Sequence, residues 1–354
     1  MTALIPQSIL ELDKLVRTIA DAIAAVLQGI GLGPAWVTLI QLSIACLVVI
    51  AFAAVVVLFL VWWERKISAH IQMRLGPMRV GWHGALQTIA DAVKLLQKED
   101  ITPTNVDRPI YFWAPILTFV AAVAVYVTIP FGKGLIVSDL NIGILYILSI
   151  TTFTVIGLLM AGWSSNNKYA LLGGFRSAAQ VISYEVPMAL AIMGVVMFTQ
   201  TLSMVEIVNQ QQSFTHWYIW RQPIGFVVYM IAATAECNRT PFDLPEADSE
   251  LVAGFVTEYS GMKFAMFFLA EFLNLFSISA IATTLFFGGW QGPFLPSWMW
   301  FMIKTLIGVF VLMWVRWTYP RLRVDQLMGF AWRFLLPAAF VNLILTGLLI
   351  AVFL

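Results

Sequence analysis

Residues 235–261, AECNRTPFDLPEADSELVAGFVTEYSG, hold six of the nineteen acidic residues of this chain, and before residue 262 only Arg239 offsets them. The six are Glu236, Asp243, Glu246, Asp248, Glu250 and Glu258. Crowded carboxylates repel one another, and apolar surroundings add a desolvation cost, so both effects favour protonation near neutral pH. We therefore predict a cluster that stores and passes protons, with the rest of the chain organised around it. A solvated acidic loop is the alternative.

The chain around this cluster is strongly apolar. Of its 354 residues, 60% are hydrophobic and 11% are charged, and the mean hydropathy is +0.87. Such a composition is typical of a chain embedded in lipid. We predict an all-α polytopic membrane protein in which residues 1–354 form a single membrane domain. The net charge of +1 gives no reason to expect a nucleic acid partner.

Cysteine and histidine are too few and too scattered to hold a redox metal. Cys46 and Cys237 lie far apart with no CxxC motif, so this chain alone is not expected to build an iron–sulfur cluster or a zinc site. The three histidines fall outside the apolar stretches, which excludes a haem held between two membrane helices. We expect this chain to bind no cofactor or metal and assign any redox metal to a partner.

Eight apolar stretches are predicted to span about 30 Å of hydrocarbon as helices, although the fifth is short. They cover residues 37–63, 110–130, 140–162, 186–204, 223–237, 262–287, 299–317 and 334–354. Before them, residues 8–30 predict an amphipathic helix that lies in the membrane interface. Ser8 and Glu11 have the capping-box spacing at its start. A signal peptide fits less well, because no basic residue precedes Lys14.

The distribution of lysine and arginine predicts the orientation of the chain. Alternate loops hold fifteen of the twenty basic residues, and the loops between them hold one, one and none. By the positive-inside rule the basic loops are cytoplasmic and both termini lie outside. The predicted cytoplasmic segments are residues 64–109, 163–185, 236–261 and 316–333.

The first cytoplasmic segment begins with a shaped, basic loop. The charged triplet ERK at 64–66 follows the first span directly. Gly-Pro at 76–77 dictates a turn, which is framed by Arg74 and Arg79. This loop is suited to docking a partner; ordinary interfacial anchoring is the alternative.

The same segment continues into a predicted helix that starts near residue 85. Its apolar residues fall on one stripe, formed by Leu86, Ile89, Val93 and Leu96. On the other side, Asp91 and Lys94 are expected to pair at i,i+3. An exposed pair of this kind contributes well under about 1 kcal/mol.

Three acids fall inside or at the ends of apolar stretches. Glu271 lies well inside the sixth stretch, Glu185 lies where the fourth begins, and Glu236 closes the fifth. Charged groups are costly inside a bilayer and by default mark a path for ions or protons. We predict a relay from the cytoplasm towards the bilayer centre. In the alternative, each acid only ties two helices together.

The last cytoplasmic segment mixes aromatic residues with arginines, a pattern typical of an anchor at the membrane interface. The arginines are Arg316, Arg321, Arg323 and Arg333. We expect Asp325 to find a partner among them.

Several long motifs of this chain resemble those of one family. They are ERK at 64–66, QMRLGP at 72–77, Asp91 to Lys94, SNNKYALLGGFRSAAQVISYE at 165–185, AECNRTPFDLPEADSEL at 235–251, Glu258-Tyr259-Ser260 and RWTYPRLRVDQLM at 316–328. In this order they are similar to the H subunit of bacterial respiratory complex I, the proton-pumping NADH:quinone oxidoreductase. The resemblance covers nearly the whole chain. Met78 departs from it, because asparagine usually follows Gly-Pro in that family.

The resemblance implies a membrane subunit that completes a quinone chamber and carries an acidic path for protons. Quinone is implied as the substrate, reaching the chamber from the bilayer near spans one and six and the first helix. The residues implied for the chamber are Glu64, Arg65, Arg74, Asp91 and Lys94. Those implied for the proton path are Glu185, Glu236, Glu246, Asp248, Glu250, Glu258 and Glu271.

The resemblance also implies the surroundings of the chain. It places the chain in a bacterial inner membrane, with both termini periplasmic, among membrane lipids. The implied partners are the peripheral-arm subunits of the quinone module, small membrane subunits and antiporter-like membrane subunits. NADH, FMN and iron–sulfur clusters are expected in partner subunits, and no redox chemistry is expected from this chain alone.

Three other functions remain open from the sequence. Membrane-bound hydrogenases and formate hydrogenlyase-type complexes carry a similar membrane subunit. A stand-alone ion transporter would also need intramembrane acids, although we see no pair of related halves. A passive membrane anchor would have no proton role.

Overall fold

The computed structural model describes residues 12–29, 31, 33–245 and 248–353. Within these residues the regular elements are all helices, which confirms the predicted fold class. Seven helices in this part of the chain are long and apolar enough to cross a membrane. The fifth predicted span forms only a 14-residue helix, Pro223–Glu236. At 1.5 Å per residue it is about 21 Å long, which is short for the hydrocarbon layer.

The principal helices are α1 to α13 in chain order. Their bounds are Leu12–Gly29 (α1), Pro34–Ile71 (α2), Gln87–Gln97 (α3), Arg108–Ala124 (α4), Gly143–Ser164 (α5), Lys168–Thr199 (α6), Met204–Gln210 (α7), Pro223–Glu236 (α8), Asp248–Leu251 (α9), Gly261–Phe286 (α10), Ser297–Thr318 (α11), Val324–Phe330 (α12) and Leu336–Phe353 (α13). A π-helical turn, Ala331–Leu335, joins α12 and α13 into one helix of membrane length.

Several helices extend beyond the apolar stretches that predicted them. The predicted loop 163–185 is helical from Lys168, where the Asn167 side chain caps α6 by accepting a hydrogen bond from the Tyr169 backbone N–H. Likewise, α2 runs on to Ile71 and carries the triplet 64–66 on a helix rather than in a loop. Hydropathy measures the length buried in lipid, whereas caps and helix propensity decide where a helix ends.

The amphipathic first helix is present as α1, which packs against α2. The Gln41 side chain donates a hydrogen bond to the Ala20 carbonyl, 3.1 Å away. Apolar side chains of α1, including Val16, Ile19 and Val26, are exposed, as an interfacial helix requires. The predicted capping box of Ser8 and Glu11 lies outside the described residues.

Helix α10 is the central helix of the bundle. It contacts α2, α4, α8 and α11. In its most apolar 18-residue stretch 67% of the residues are buried, against 22% to 50% in the corresponding stretches of the other membrane-length helices. The hydroxyls of Ser277, Thr283 and Thr284 donate to carbonyls one turn back in the same helix, which satisfies them without water. Glu271 on α10 is therefore carried into the middle of the protein.

Close backbone contact joins α6 to the short turn before α10. A β-carbon at Gly173 would lie only 2.8 Å from the Gly254 Cα and from the Phe255 backbone nitrogen. Backbone atoms at such a contact cannot rotate away as a side chain does. Glycine at position 173 is therefore needed for this packing.

We expect Gly173→Ala to destabilise the protein by about 1–3 kcal/mol, because overpacking forces the backbone apart. The measurement is the apparent Tm of the detergent-solubilised protein. Gly329→Ala is the control, since a β-carbon there meets nothing within 4 Å, and its Tm should be unchanged or slightly higher. Equal Tm values for both variants would show that the contact yields without cost.

Candidate functional site

Two glutamates and two arginines from distant parts of the chain form one buried ion cluster, called here the ion quartet. Its members are Glu64 of α2, Arg239 after α8, Glu271 of α10 and Arg316 of α11. Nη1 of Arg239 lies 2.7 Å from Oε2 of Glu64, and its Nε lies 3.0 Å from Oε1 of Glu271. Nη1 of Arg316 lies 2.7 Å from Oε1 of Glu64 and 3.6 Å from Oε1 of Glu271. Each arginine thus contacts both carboxylates.

The charges of the ion quartet balance, and its centre is buried. The side chains of Arg239 and Glu64 are only 1% and 8% exposed. Burial lowers the pKa of Arg239, but Glu64 and Glu271 outweigh burial and raise that pKa above its ordinary value, so the guanidinium stays charged. Its Cζ also lies 4.4 Å from the centre of the Phe272 ring. Buried charges persist only when paired in this way.

Arg239 is positioned by a turn that directly follows α8. The buried Gln180 side chain of α6 donates hydrogen bonds to the Ala235 and Phe242 carbonyls, at 2.7 and 2.6 Å. The Phe242 backbone N–H also donates to the Arg239 carbonyl at 2.8 Å. Both ends of the turn are therefore fixed to α6, which directs Arg239 towards α2 and α10.

A second acidic group lies beside a small cavity between α5, α6, α8 and α10. Glu236 lines this cavity of about 30 Å³ together with Thr151, Thr154 and Ser277. Glu185 is close enough to Glu236 for the two carboxylates to repel each other, and its Oε1 accepts a hydrogen bond from Thr152 at 2.8 Å. One water molecule needs a cavity of about 10–15 Å³, measured as the space open to the centre of a water-sized sphere, so this cavity has room for water.

The other described acids of the 235–261 stretch whose contacts are known have separate partners. Glu250 lies 2.5 Å from Arg176, and Asp243 lies 2.9 Å from Arg321. The Asn167 side chain donates a hydrogen bond to Glu258 at 2.7 Å. The structure therefore spreads the 235–261 acids over several contacts. Glu246 lies outside the described residues, and Asp248 is the first residue of α9.

The predicted chamber residues divide between two places. Glu64 points into the ion quartet, whereas Arg65 lies 2.5 Å from Asp91 in a half-exposed pair. The predicted Asp91–Lys94 pair is wrong, because among the described residues the ionic partner of Asp91 is Arg65 of α2. Sequence spacing identifies partners within a helix but not between helices. Arg74 is exposed, with its Nε 2.7 Å from the Gln72 side-chain oxygen.

The Gly-Pro turn is held from α2. Lys66 Nζ donates to the Pro77 carbonyl at 2.6 Å and lies 3.0 Å from the Met78 sulfur. A lysine of α2 thus fixes the turn that precedes Met78, the residue that departs from the family pattern.

Large apolar side chains on this loop and on α3 do not face the core of this chain. Met73, Leu75 and Trp82 are 96%, 82% and 81% exposed. The predicted stripe of α3 is also exposed along its length, at Leu86, Ile89, Val93 and Leu96. Contiguous exposed apolar surface of this kind marks a contact with another protein or with lipid.

The sequence model of the family described as NADH dehydrogenase matches residues 44–347. This chain belongs to that family. The H subunit of NADH-quinone oxidoreductase from Dehalococcoides mccartyi strain CBDB1 is 52% identical over 308 residues, which cover 87% of this chain and 86% of the relative. The H subunit from Carboxydothermus hydrogenoformans is 51% identical over 303 residues, covering 84% and 86%. An H subunit from Geobacter sulfurreducens is 48% identical over 326 residues, covering 86% and 93%.

These relatives confirm the resemblance to the complex I membrane subunit that the motifs indicated. They do not favour the hydrogenase-type or stand-alone transporter alternatives. Together with the seven membrane-length helices of the described residues, they support a multi-pass membrane protein.

The roles of Arg239 and Arg316 in the ion quartet do not follow from the sequence. Arg239 stood out only as an offsetting charge, and Arg316 was assigned to an interfacial anchor. Both bind Glu64, at sequence separations of 175 and 252 residues. The one sequence feature that could have indicated them is that buried acids need cations of equal number.

The expected arginine partner of Asp325 is confirmed as Arg323, 3.3 Å away.

Proposed function

We propose that this chain is the complex I membrane subunit that helps to form the quinone chamber and couples quinone reduction to proton translocation along an acidic path. The ion quartet is the observation that carries this proposal. Glu64, which the motifs assign to the chamber, and Glu271, which they assign to the proton path, share the same two arginines. A change of charge at the chamber therefore acts on the path through direct contacts.

The coupling is electrostatic. Quinone reduction needs two electrons from a partner's iron–sulfur cluster and two protons, and it develops negative charge near the end of α2. That charge competes with Glu271 for Arg239 and Arg316, so Glu271 is left less compensated and takes up a proton. At 4 Å and an effective dielectric constant near 20, two unit charges interact by about 4 kcal/mol. This corresponds to roughly a thousandfold change in a protonation equilibrium.

The acids of the path fall into two kinds. Those with an arginine partner, Glu250 and Glu271, are held in ion pairs. Within the described residues Glu185, Glu236 and Glu258 have no lysine or arginine partner. No countercharge of this kind holds these three carboxylates, so we assign proton exchange along the path to them.

The exposed apolar surface supports docking to other subunits. Met73, Leu75 and Trp82 stand at a basic loop with Arg74 and Arg79 nearby in the sequence. We assign this loop and the α3 stripe to the peripheral-arm subunits of the quinone module, which would bring NADH, FMN and iron–sulfur clusters. The lipid-facing helices would contact membrane lipids and the small and antiporter-like membrane subunits. Following the positive-inside rule, we propose that both termini lie in the periplasm.

Combined Glu246→Gln and Glu250→Gln substitutions are expected to lower coupled quinone reduction several-fold, because the proposed path loses two of its negative charges. NADH:quinone turnover and proton pumping are measured on the purified complex in proteoliposomes. Asp325→Asn is the control, since the Arg323–Asp325 pair is exposed and outside the path. Wild-type turnover and pumping in the double variant would contradict the proposed path.

A further inference from the structure

A polar cavity of about 390 Å³ opens on the surface next to Glu258. Its walls come from two loops, one before α4 and one between α5 and α6. The lining is rich in amides and hydroxyls, and consists of Pro103, Thr104, Asn105, Ser165, Asn166, Asn167, Lys168, Tyr169 and Glu258. Thr104, Asn105, Asn166 and Lys168 are exposed at the rim, whereas Ser165 is buried and Glu258 is half-buried. The cavity therefore leads from solvent to a carboxylate.

Glu258 is held in place without a countercharge. The Asn167 side-chain oxygen accepts the hydrogen bond that caps α6, and its side-chain nitrogen donates to Glu258 Oε1 at 2.7 Å. Tyr111 donates its hydroxyl to the Glu258 carbonyl at 2.7 Å. Among the described residues no ion pair includes Glu258. Its carboxylate is thus oriented by neutral groups.

Two stacked tyrosines lie next to Glu258, and Glu258 is the one carboxylate among the residues that line the cavity. The rings of Tyr111 and Tyr259 stack with centroids 4.2 Å apart and an interplanar angle of 5°. The Tyr259 hydroxyl lies 3.4 Å from the buried Ser164 hydroxyl. Burial raises the pKa of Tyr259 to about 12, so this phenol keeps its proton. Protons arriving through the cavity therefore meet Glu258 first.

Other acids of the path are less suited to exchange protons with solvent. Glu271 is occupied by the arginines of the ion quartet, and Glu250 is paired with Arg176. Glu236 faces a cavity of only about 30 Å³. The cavity beside Glu258 is large enough for a continuous chain of waters, since each needs about 10–15 Å³ on this scale.

We propose that this cavity is the inlet through which protons from cytoplasmic water reach the acidic path, with Glu258 as the first acceptor. In the transfer, a hydrated proton in the cavity passes to the Glu258 carboxylate and leaves a water molecule behind. The inference rests on the proposed function, because it supplies protons to the path described there. It adds a defined place where the path meets solvent.

The test blocks the rim of the cavity in the assembled complex. Asn105→Cys is modified with methyl methanethiosulfonate or with the bulkier benzyl reagent, applied to inverted membranes, and the modified fraction is measured by mass spectrometry. Ile101→Cys is the matched control, because it lies in the same loop, is 59% exposed and does not line the cavity. Thr104→Cys, on the same rim, replaces Asn105→Cys if that variant does not assemble. Wild-type complex treated in the same way corrects for other cysteines.

We expect the benzyl adduct at position 105 to lower proton pumping and quinone turnover several-fold relative to the methyl adduct, with no such difference at position 101. If position 105 is unmodified in the assembled complex while position 101 reacts, the cavity is closed to water and the inlet is disproved. If the benzyl adduct has no effect but Glu258→Gln lowers pumping, the acidic path stands and its inlet lies elsewhere. If Glu258→Gln also has no effect, the inlet fails and the role of Glu258 in the proposed path fails with it.

Discussion

Arg239→Met is expected to destabilise the assembled protein by about 3–5 kcal/mol and to abolish coupled quinone reduction. The substitution keeps much of the side-chain volume but removes the guanidinium that binds Glu64 and Glu271. Two carboxylates would then share only Arg316, and breaking a buried pair leaves an uncompensated charge that costs this amount. The measurements are the apparent Tm of the purified complex, the fraction of the chain incorporated into it, and its NADH:quinone turnover.

Two further variants separate charge balance from general damage. Arg323→Met removes an exposed arginine whose pair with Asp325 is 77% and 68% exposed, and should cost less than about 1 kcal/mol. Adding Glu64→Gln to Arg239→Met restores equal charge, because Glu271 and Arg316 remain, and should recover part of the stability but not the coupled turnover. A wild-type Tm in Arg239→Met would show that the ion quartet does not depend on this arginine.

Glu236→Gln is expected to lower coupled turnover by about a hundredfold or more, with little change in stability. Glutamine has nearly the same shape but cannot take up and release a proton, and a positioned proton-transfer group contributes factors of this size. Glu236 lines the cavity between α5, α6, α8 and α10 and has no cation partner in the described structure. Glu236→Asp keeps a titratable group at a shorter reach and should retain intermediate activity.

The control for this experiment is Glu206→Gln in α7. Glu206 accepts a hydrogen bond from Thr201 at 2.8 Å and does not belong to the predicted path. Turnover and pumping should match the wild type, which shows that loss of any one carboxylate is not sufficient. Normal pumping in Glu236→Gln would mean that this acid only ties helices together.

The helices of this protein and the identity of its acids could be predicted from the sequence, because both are local properties. Apolar stretches of sufficient length predict the membrane helices, and Glu271 stands out as a charge inside one of them. The start of α6 was missed by eighteen residues, since its first half is polar enough to resemble a loop. The helix there depends on the Asn167 cap and on packing against the turn at Gly254.

The pairing of the charges could not be predicted, because it depends on which helices are neighbours. Arg316 looks like an interfacial anchor beside Trp317, and only the approach of α11 to α2 shows that it binds Glu64. Similarly, Asp91 has a plausible partner at Lys94 on its own helix, but Arg65 of α2 lies closer. For Glu271 the two interpretations of the intramembrane acids are compatible, because its contacts with Arg239 and Arg316 tie helices together and it still belongs to the proposed path.

The ion quartet has a consequence for the order in which the protein is made. Glu64 is synthesised 175 residues before Arg239 and 252 residues before Arg316. At about 5–20 residues per second, the ribosome takes roughly ten to thirty seconds to supply the first of these arginines. During that interval α2 carries the Glu64 carboxylate with neither of its arginine partners. The nascent chain must therefore keep Glu64 hydrated or protonated until the second half of the protein is made.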